Sequence, residues 1–283
     1  MPEPTSSSDR PPGGRNRVPA GAGRRDECKG VPMTMTTSVG AVRRMPQLDR
    51  PTAMRLAATE YDRFLTQLRR LDDAEWRLPT SCPGWDVRAM ASHALGMAEM
   101  AASLRQQVHQ QRAAARAGGG IDALTGVQVR ERLALTPAEL VERFAVVAPR
   151  AVRGRRRMPG LVRRRTMPEE QIVGDAREKW TFGFLVDVIL TRDPWMHRLD
   201  IARAAGLDPE LTADHDGVLV ADVVREWAQR HGSSYRLHLT GPAGGSWSHG
   251  DEGSELELDA TDFCLLISGR GTGTGLLAEQ VPF

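Results

Sequence analysis

Metal-binding side chains lie inside the apolar stripes of two helical segments that are far apart in the chain. The first segment carries His93, and Met90 and Met97 lie three and four positions away on the same stripe. The second carries Asp193 and His197, which are one helical turn apart and therefore share a face. A buried histidine or carboxylate is costly unless it is paired, hydrogen-bonded or bound to a metal. The pattern therefore predicts an ion held between helices.

These side chains would form an open metal site. Two histidine nitrogens and one carboxylate oxygen leave a fourth position free, which is the arrangement of catalytic rather than structural zinc. Iron, nickel or manganese would also accept these ligands. A bound zinc ion favours the thiolate form of a thiol, so sulfur chemistry at neutral pH is one function that the ligands permit.

The same residues also permit a purely structural interpretation. Pro194 follows Asp193, so this carboxylate can bond the backbone groups that a proline kink frees. Asp200, two turns after Asp193, can pair with Arg198 or Arg203. Residue types and spacing alone leave the two interpretations open.

Composition bounds the class of protein. The chain has 283 residues, of which 40% are hydrophobic and 26% charged, as in ordinary globular proteins. The net charge of +2 gives no indication of a nucleic-acid partner, and no apolar run reaches the ~18 residues of a membrane span. Three scattered cysteines, Cys28, Cys82 and Cys264, predict neither a disulfide framework nor a zinc ribbon. We therefore expect a cytoplasmic protein that binds neither nucleic acid nor a membrane. We also expect a monomer or a homodimer.

The N-terminal part of the chain differs from the rest. Residues 1–45 are rich in Pro, Gly, Ser, Thr and Arg and hold few bulky apolar side chains, so they cannot offset the entropy of ordering. Their arginine pair is not followed by an apolar segment, which argues against a signal peptide. We predict a disordered extension, within which Met33, Met35 and Met45 are alternative starts.

Helical periodicity dominates residues 46–208. We expect four helices, of which the third begins at a capping box formed by Thr136 and Glu139 and ends before the arginine-rich stretch 150–165. The predicted ranges are about 48–72, 86–117, 136–149 and 181–205. Their connections fit an antiparallel bundle with sites between facing helices. The arginine-rich stretch is either a solvated loop or a surface for an anionic substrate or thiol cofactor.

Residues 209–283 have a different pattern. A helix precedes three short segments with period-two alternation, and a further helix follows them. These elements span 218–230, 235–239, 246–248, 255–259 and 261–268. We expect antiparallel strands and hence a small α+β domain. The glycine-rich run 269–275 lacks the flanking strand and helix of a dinucleotide-binding motif, so we do not interpret it as one.

Three motifs follow one another in a recognisable order. Cys82-Pro83-Gly84-Trp85 leads to His93, the segment from Arg192 to Asp200 follows, and a Leu-Leu-x-x-Gly-Arg run ends at Arg270. Together they resemble the mycothiol-dependent maleylpyruvate isomerase family of DinB-like metalloproteins, over roughly residues 48–270. The resemblance implies a mainly α fold. A DinB-like antiparallel four-helix bundle at 46–208 would be followed by a small α+β, sterol-carrier-like domain at 209–283.

The resemblance also implies which residues bind metal. The family's ligands are a histidine and a Glu-x-x-x-His pair, and the matching positions are His93, Asp193 and His197. Aspartate at 193 is one methylene shorter than glutamate, so either the helix shifts at Pro194 or Asp200 supplies the third ligand. Zinc is the expected metal.

The function that the resemblance implies depends on mycothiol. We expect the metal to activate the thiolate of mycothiol, the thiol co-substrate, for transfer to an electrophilic small molecule by an S-transferase. Arg270 and Arg198 would act in catalysis by holding substrate carboxylates, and Arg88 and Trp85 would bind the thiol cofactor. An isomerase is less favoured because its product must leave the sulfur and because the family's glutamate is replaced. The alternatives are a cis–trans isomerase of maleylpyruvate type, a non-catalytic metal-binding or ligand-sensing bundle protein, and a purely structural bundle.

Overall fold

A computed structural model describes residues 41–283 as a mainly helical chain with two small sheets. Strands β1 to β6 of the described residues span Val42–Arg44, Gln171–Val173, Ala176–Trp180, Tyr235–Thr240, Gly245–His249 and Ser254–Asp259. Helices α1 to α10 of the same part of the chain span Arg50–Leu68, Val87–Ala102, Leu104–Arg116, Gly120–Arg130, Pro137–Arg157, Gly160–Arg163, Phe182–Phe184, Leu190–Ala205, Val218–His231 and Ala260–Leu265. No helix of the described residues is long and apolar enough to cross a membrane.

The predicted disordered extension lies outside the described residues except at 41–45. There the chain forms β1, which pairs in parallel with β3. The guanidinium of Arg44 also binds Glu178 of β3, with Nε 2.7 Å from Oε1. Ordered structure therefore begins earlier than composition predicts, because β3 supplies partners for the backbone and for this side chain.

Four long helices carry most of the apolar packing around the predicted site. Helices α1 and α2 each contact both α5 and α8. The predicted caps are present: the Asp86 side chain accepts a hydrogen bond from the backbone N–H of Ala89, and Thr136 and Glu139 form the capping box. Gly206 ends α8 in the left-handed region with φ of 63°.

The predicted second helix is in fact two helices. Ser103 has φ of −148°, interrupts the helix, and caps α3 through its side chain. After the glycine run 118–120 the chain forms a further helix, α4, which sequence patterning did not predict. Helix α4 packs against α2 and α3. Helix α4 therefore lies beside the helix that carries His93.

Helix α5 continues through much of the arginine-rich stretch, contrary to prediction. It ends at Arg157, and Arg155 is buried beneath it. Most of the other arginines of the stretch are exposed on the outer surface. The interpretation of this stretch as a loop is therefore wrong for its first half, because the helix keeps a buried face there through Ala151 and Arg155.

The start of the fourth predicted helix is distorted. Helix α7 leads into a π-helical turn at Leu185–Ile189 before α8 begins. Pro194 lies within α8 and has no N–H to bond the carbonyl of Leu190. Arg155 donates to that carbonyl instead, at 3.0 Å, and to the carbonyl of Val186 at 2.6 Å. A buried guanidinium thus bonds the carbonyl that Pro194 leaves without a helical donor.

The second sheet has the strand order β5-β4-β6. Strand β5 is antiparallel to β4, but β6 is parallel to β4, so the expectation of antiparallel pairing is wrong for β6. The chain reverses its direction after β5. Strand β6 then pairs with the edge of β4 that β5 leaves free. Gly253 permits this crossing, because a Cβ there would lie 2.3 Å from the carbonyl carbon of Ser234. Alternate residues of β4 are buried against α9 and α10 and against Trp195 of α8.

Candidate metal centre

Three metal-competent side chains converge between α2 and α8. Nε2 of His93 lies 3.1 Å from Oδ1 of Asp193, and Nε2 of His197 lies 3.5 Å from the same oxygen. One ligand atom from each residue lies within 4.8 Å of the other two. Both histidines are buried. The structure therefore brings together the three residues that the sequence selects.

The donor set fits a small divalent cation. Nitrogen and oxygen ligands of a tetrahedral zinc stand about 3.3 Å apart, given bond lengths near 2.0 Å. The two distances at Asp193 bracket this value. In addition, Oδ2 of Asp193 is buried and has no hydrogen-bond partner among the described residues. An orphaned carboxylate oxygen beside two imidazole nitrogens is the chemistry that a cation would satisfy.

Charge coupling within the centre is strong. Burial alone would raise the pKa of Asp193, but the charges of His93 and His197 outweigh it and hold the pKa of this carboxyl well below its ordinary value. Burial alone would lower the pKa of His197, but the carboxylate of Asp193 outweighs it and raises the pKa to about 9. Without a metal, the proton on His197 thus balances the carboxylate, and a bound cation would take over that role.

Asp200 lies behind His197 and faces away from the other ligand atoms. Its Oδ2 is 3.2 Å from Nδ1 of His197, which leaves Nε2 of that ring towards Asp193. Its carboxylate also binds Arg270, whose Nε and Nη2 lie 2.9 Å and 2.8 Å from Oδ1 and Oδ2. The hydroxyl of Ser81 donates to Oδ1 at 2.5 Å. Asp200 is therefore placed to orient His197, and together with Cys82 and His197 it forms a second group of potential ligands.

Trp85, Cys82 and Arg270 border the centre on one side. The ring of Trp85 lies 5.2 Å from that of His93 and 6.1 Å from that of His197, measured between centroids. Sγ of Cys82 lies 3.8 Å from Nη2 of Arg270. Burial raises the pKa of the Cys82 thiol, so it is protonated at neutral pH. The structure thus places Trp85 against both imidazoles and Arg270 against Asp200.

Residues 57–202 match the family model described as the mycothiol maleylpyruvate isomerase N-terminal domain. The chain belongs to this family. The matched segment contains His93, Asp193, His197 and Asp200, so the candidate metal centre lies wholly within the mycothiol maleylpyruvate isomerase domain.

A solved structure supports the same fold. The crystal structure of the mycothiol-dependent maleylpyruvate isomerase is 16% identical in sequence, with a TM-score of 0.51 over 80% of this chain and 91% of that chain. A histidine-to-alanine mutant of that enzyme aligns over the same shares at 16% identity with a TM-score of 0.47. A comparison with curated proteins finds no match.

Two arginines assigned to the site from sequence lie elsewhere in this isomerase-family member. Arg198 points to the opposite side of α8, where its Nε lies 2.8 Å from Glu60 and its Nη2 lies 2.7 Å from Asp216. Arg88 donates to the backbone carbonyls of Leu133 and Leu135. Both guanidinium groups therefore hold secondary structure together, and neither is placed to hold substrate or thiol.

Sequence reasoning also missed a contact to His93. Oε1 of Gln128, on the unpredicted helix α4, lies 2.7 Å from Nδ1 of His93. Gln128 is fully buried. A polar residue on the apolar side of α4, near Leu124 and Val127, was the available signal.

Proposed function

We propose that this family member is a metal-dependent enzyme that activates the thiol of mycothiol and transfers its sulfur to an electrophilic small molecule. Membership of the mycothiol maleylpyruvate isomerase family supports the thiol and the enzymatic class. The observation that carries the proposal is the convergence of His93, Asp193 and His197 on one position between two helices.

Zinc is the metal that we propose for this centre. His93 and His197 would each supply Nε2 and Asp193 would supply Oδ1, so one position remains open. When bound there, the cation would favour the thiolate form of a thiol at neutral pH. Aspartate in place of the family's glutamate is compatible with this role, because Oδ1 of Asp193 already lies beside both imidazoles.

The surrounding residues would orient the reactants. Asp200 fixes the ring of His197 and holds Arg270 beside the centre. Nε and Nη2 of Arg270 are used on Asp200 and Cys82, so Nη1 is left to bind a carboxylate of the electrophile. Trp85 covers the two imidazoles with an apolar surface that excludes water.

We propose an S-transferase in preference to an isomerase. An isomerase must also release the product from sulfur, and the centre differs from the family pattern at Asp193. Cis–trans isomerisation of a maleylpyruvate-type diacid is the second candidate, and membership of the mycothiol maleylpyruvate isomerase family favours it. In both cases α1, α2, α5 and α8 would be the DinB-like antiparallel bundle of residues 46–208, with residues 209–283 as the α+β domain.

Metal analysis and thiol consumption test the proposal together. Purified protein should bind about one equivalent of zinc and should consume mycothiol when an electrophile is added. A His93→Ala variant should lose both properties, while an exposed His109→Ala variant on α3 should keep them. Failure of the wild-type protein to bind zinc, nickel, iron or manganese would refute the metal centre. Conversion of maleylpyruvate without loss of free thiol would favour the isomerase.

A further inference from the structure

His93 is held on its far side by a chain of two buried glutamines. Nδ1 of His93 lies 2.7 Å from Oε1 of Gln128, and Nε2 of Gln128 lies 3.0 Å from Oε1 of Gln110. Nε2 of Gln110 then donates to the backbone carbonyl of Gly96 at 3.1 Å. Both glutamine side chains are fully buried. Three helices, α2, α3 and α4, thus meet in one hydrogen-bonded relay.

The direction of every hydrogen bond in this relay follows from its last member. The carbonyl of Gly96 can only accept, so Gln110 must turn its NH₂ group towards Gly96 and its oxygen towards Gln128. Gln128 must then turn its NH₂ group towards Gln110 and its oxygen towards His93. An amide oxygen can only accept, so Nδ1 of His93 must carry a proton.

We propose that Gln128 and Gln110 are positioning residues that favour the Nδ1–H tautomer of His93, which leaves Nε2 to bind a metal. Nε2 lies 3.1 Å from Oδ1 of Asp193, a carboxylate that can only accept, so without a metal this carboxylate competes with the relay for the proton of a neutral imidazole. The opposite tautomer would present an N–H to the metal position. The effect on metal binding rests on the proposed function, whereas the tautomer itself does not. Partners of this kind typically change metal affinity by about 10–100-fold.

The packing around the relay leaves Gln128 little freedom. A Cβ at position 96 would lie 2.6 Å from Cγ and 2.7 Å from Cβ of Gln128, so only glycine allows α4 to approach α2 this closely. Sδ of Met97 accepts a second hydrogen bond from the Gln128 NH₂ group at 3.2 Å. Rotation of the amide by half a turn would therefore leave the Met97 sulfur and the Gln110 oxygen without their donor.

Nuclear magnetic resonance of ¹⁵N-histidine protein tests the tautomer in the metal-free Asp193→Ala protein, in which no carboxylate of residue 193 accepts from Nε2. In this background, at a pH where His93 is neutral, two-bond correlations should show Nδ1–H when Gln128 is present and mainly Nε2–H in Gln128→Met. Gln128→Glu keeps an acceptor for Nδ1–H and should keep the wild-type tautomer. Gln110→Met should give a mixture, because the Gln128 amide is then free to rotate. The exposed Gln111→Met variant on α3 is the matched control.

Zinc affinity, measured by competition with a chelating dye, provides the second readout. Gln128→Met should bind zinc about 10–100-fold more weakly, and Gln128→Glu should recover most of the loss. An unchanged His93 tautomer in both Gln128→Met and Gln110→Met would overturn the proposal. If Gln128→Met does not fold, Gln110→Met decides by the same criterion. If the Asp193→Ala protein shows Nδ1–H but the wild-type protein binds no metal, the proposed function is refuted and the relay stands.

Discussion

Nη1 of Arg155 lies 3.0 Å from the carbonyl oxygen of Leu190, the group that Pro194 leaves without its helical partner. The same guanidinium reaches the carbonyl of Val186 and the hydroxyl of Thr191. Arg155 is almost fully buried, and its partners are these two carbonyls and this hydroxyl. The guanidinium from α5 therefore stabilises the first turn of α8, immediately before Asp193.

Replacement of Arg155 should destabilise the fold. Arg155→Met removes the side-chain donor to the carbonyls of Val186 and Leu190, and the Leu190 carbonyl also lacks a helical N–H at Pro194, so we expect a cost of about 1–3 kcal/mol. Arg155→Lys should cost less, since one ammonium can still satisfy one of them. Urea unfolding measures the difference, and the exposed Arg153→Met on the same helix should change stability by less than about 0.5 kcal/mol. Equal stability of Arg155→Met and the wild-type protein would contradict a stabilising role for Arg155.

Asp200→Asn should weaken the metal centre without contacting the metal. The amide keeps the shape of the carboxylate but loses the charge that holds His197 and Arg270. We expect zinc affinity to fall by about 10–100-fold. Thiol transfer should fall as well, because Arg270 loses its bidentate partner. Asp262→Asn, in an exposed ion pair with Arg203, is the control, and an equal effect in both variants would show that the change is nonspecific.

The stability of the metal-free protein should depend on pH through Asp193 and His197. The pKa of His197 is raised from 6.5 to about 9, so its contribution is complete below pH 6.5 and is lost as the pH rises to 9. The pKa of Asp193 is lowered from 3.8, so its contribution is complete above that pH and is lost as the pH falls. Thermal unfolding in the presence of a chelator should therefore show the largest contribution of this pair between about pH 4 and 6.5. Asp193→Asn should flatten the alkaline side of the profile, and an unaltered profile would refute the coupling.

Helices α2 and α5 approach each other closely at Gly154. A Cβ at that position would lie 2.1 Å from the backbone oxygen of Ala101, which cannot move aside. Gly154→Ala should therefore destabilise the protein by about 1–3 kcal/mol, as overpacked cores do. Gly126→Ala is the comparison, because its Cβ would meet only the end of the flexible Arg130 side chain. Calorimetry of the two variants distinguishes a backbone clash from a general effect of removing glycine.

The sequence alone predicted the parts of the site that lie on periodic stripes. His93 and His197 each occupy an apolar stripe, and the capping residues define where α2 and α5 begin. The hydrogen bond from His93 to Gln128 could not be predicted. The glycine run before α4 indicates the end of a helix, and it gives no sign that another helix begins there. Arg198 was misassigned for another reason. Its buried carboxylate partners, Glu60 and Asp216, come from segments whose proximity is visible only in the folded chain.

The pairing of β6 illustrates the same limit. Alternation in the sequence identifies a strand and its buried face, but it does not say which neighbour the strand joins. Pairing of β6 with this edge of β4 depends on Gly253, where the chain passes close to the backbone of Ser234. A side chain at this position would prevent the crossing.

Helix α8 belongs to more than one apolar cluster. Trp195 and Leu199 pack with the sheet and helices that follow residue 209, while Ile201 packs with α1, α2 and α5. Separation of the two predicted domains would expose the α8 side chains of one cluster to solvent. It would also break the ion pair between Arg270 and Asp200. Loss of either half would thus disorder the helix that carries Asp193 and His197. The two halves should consequently unfold as one cooperative unit, and neither should retain chemistry when expressed by itself.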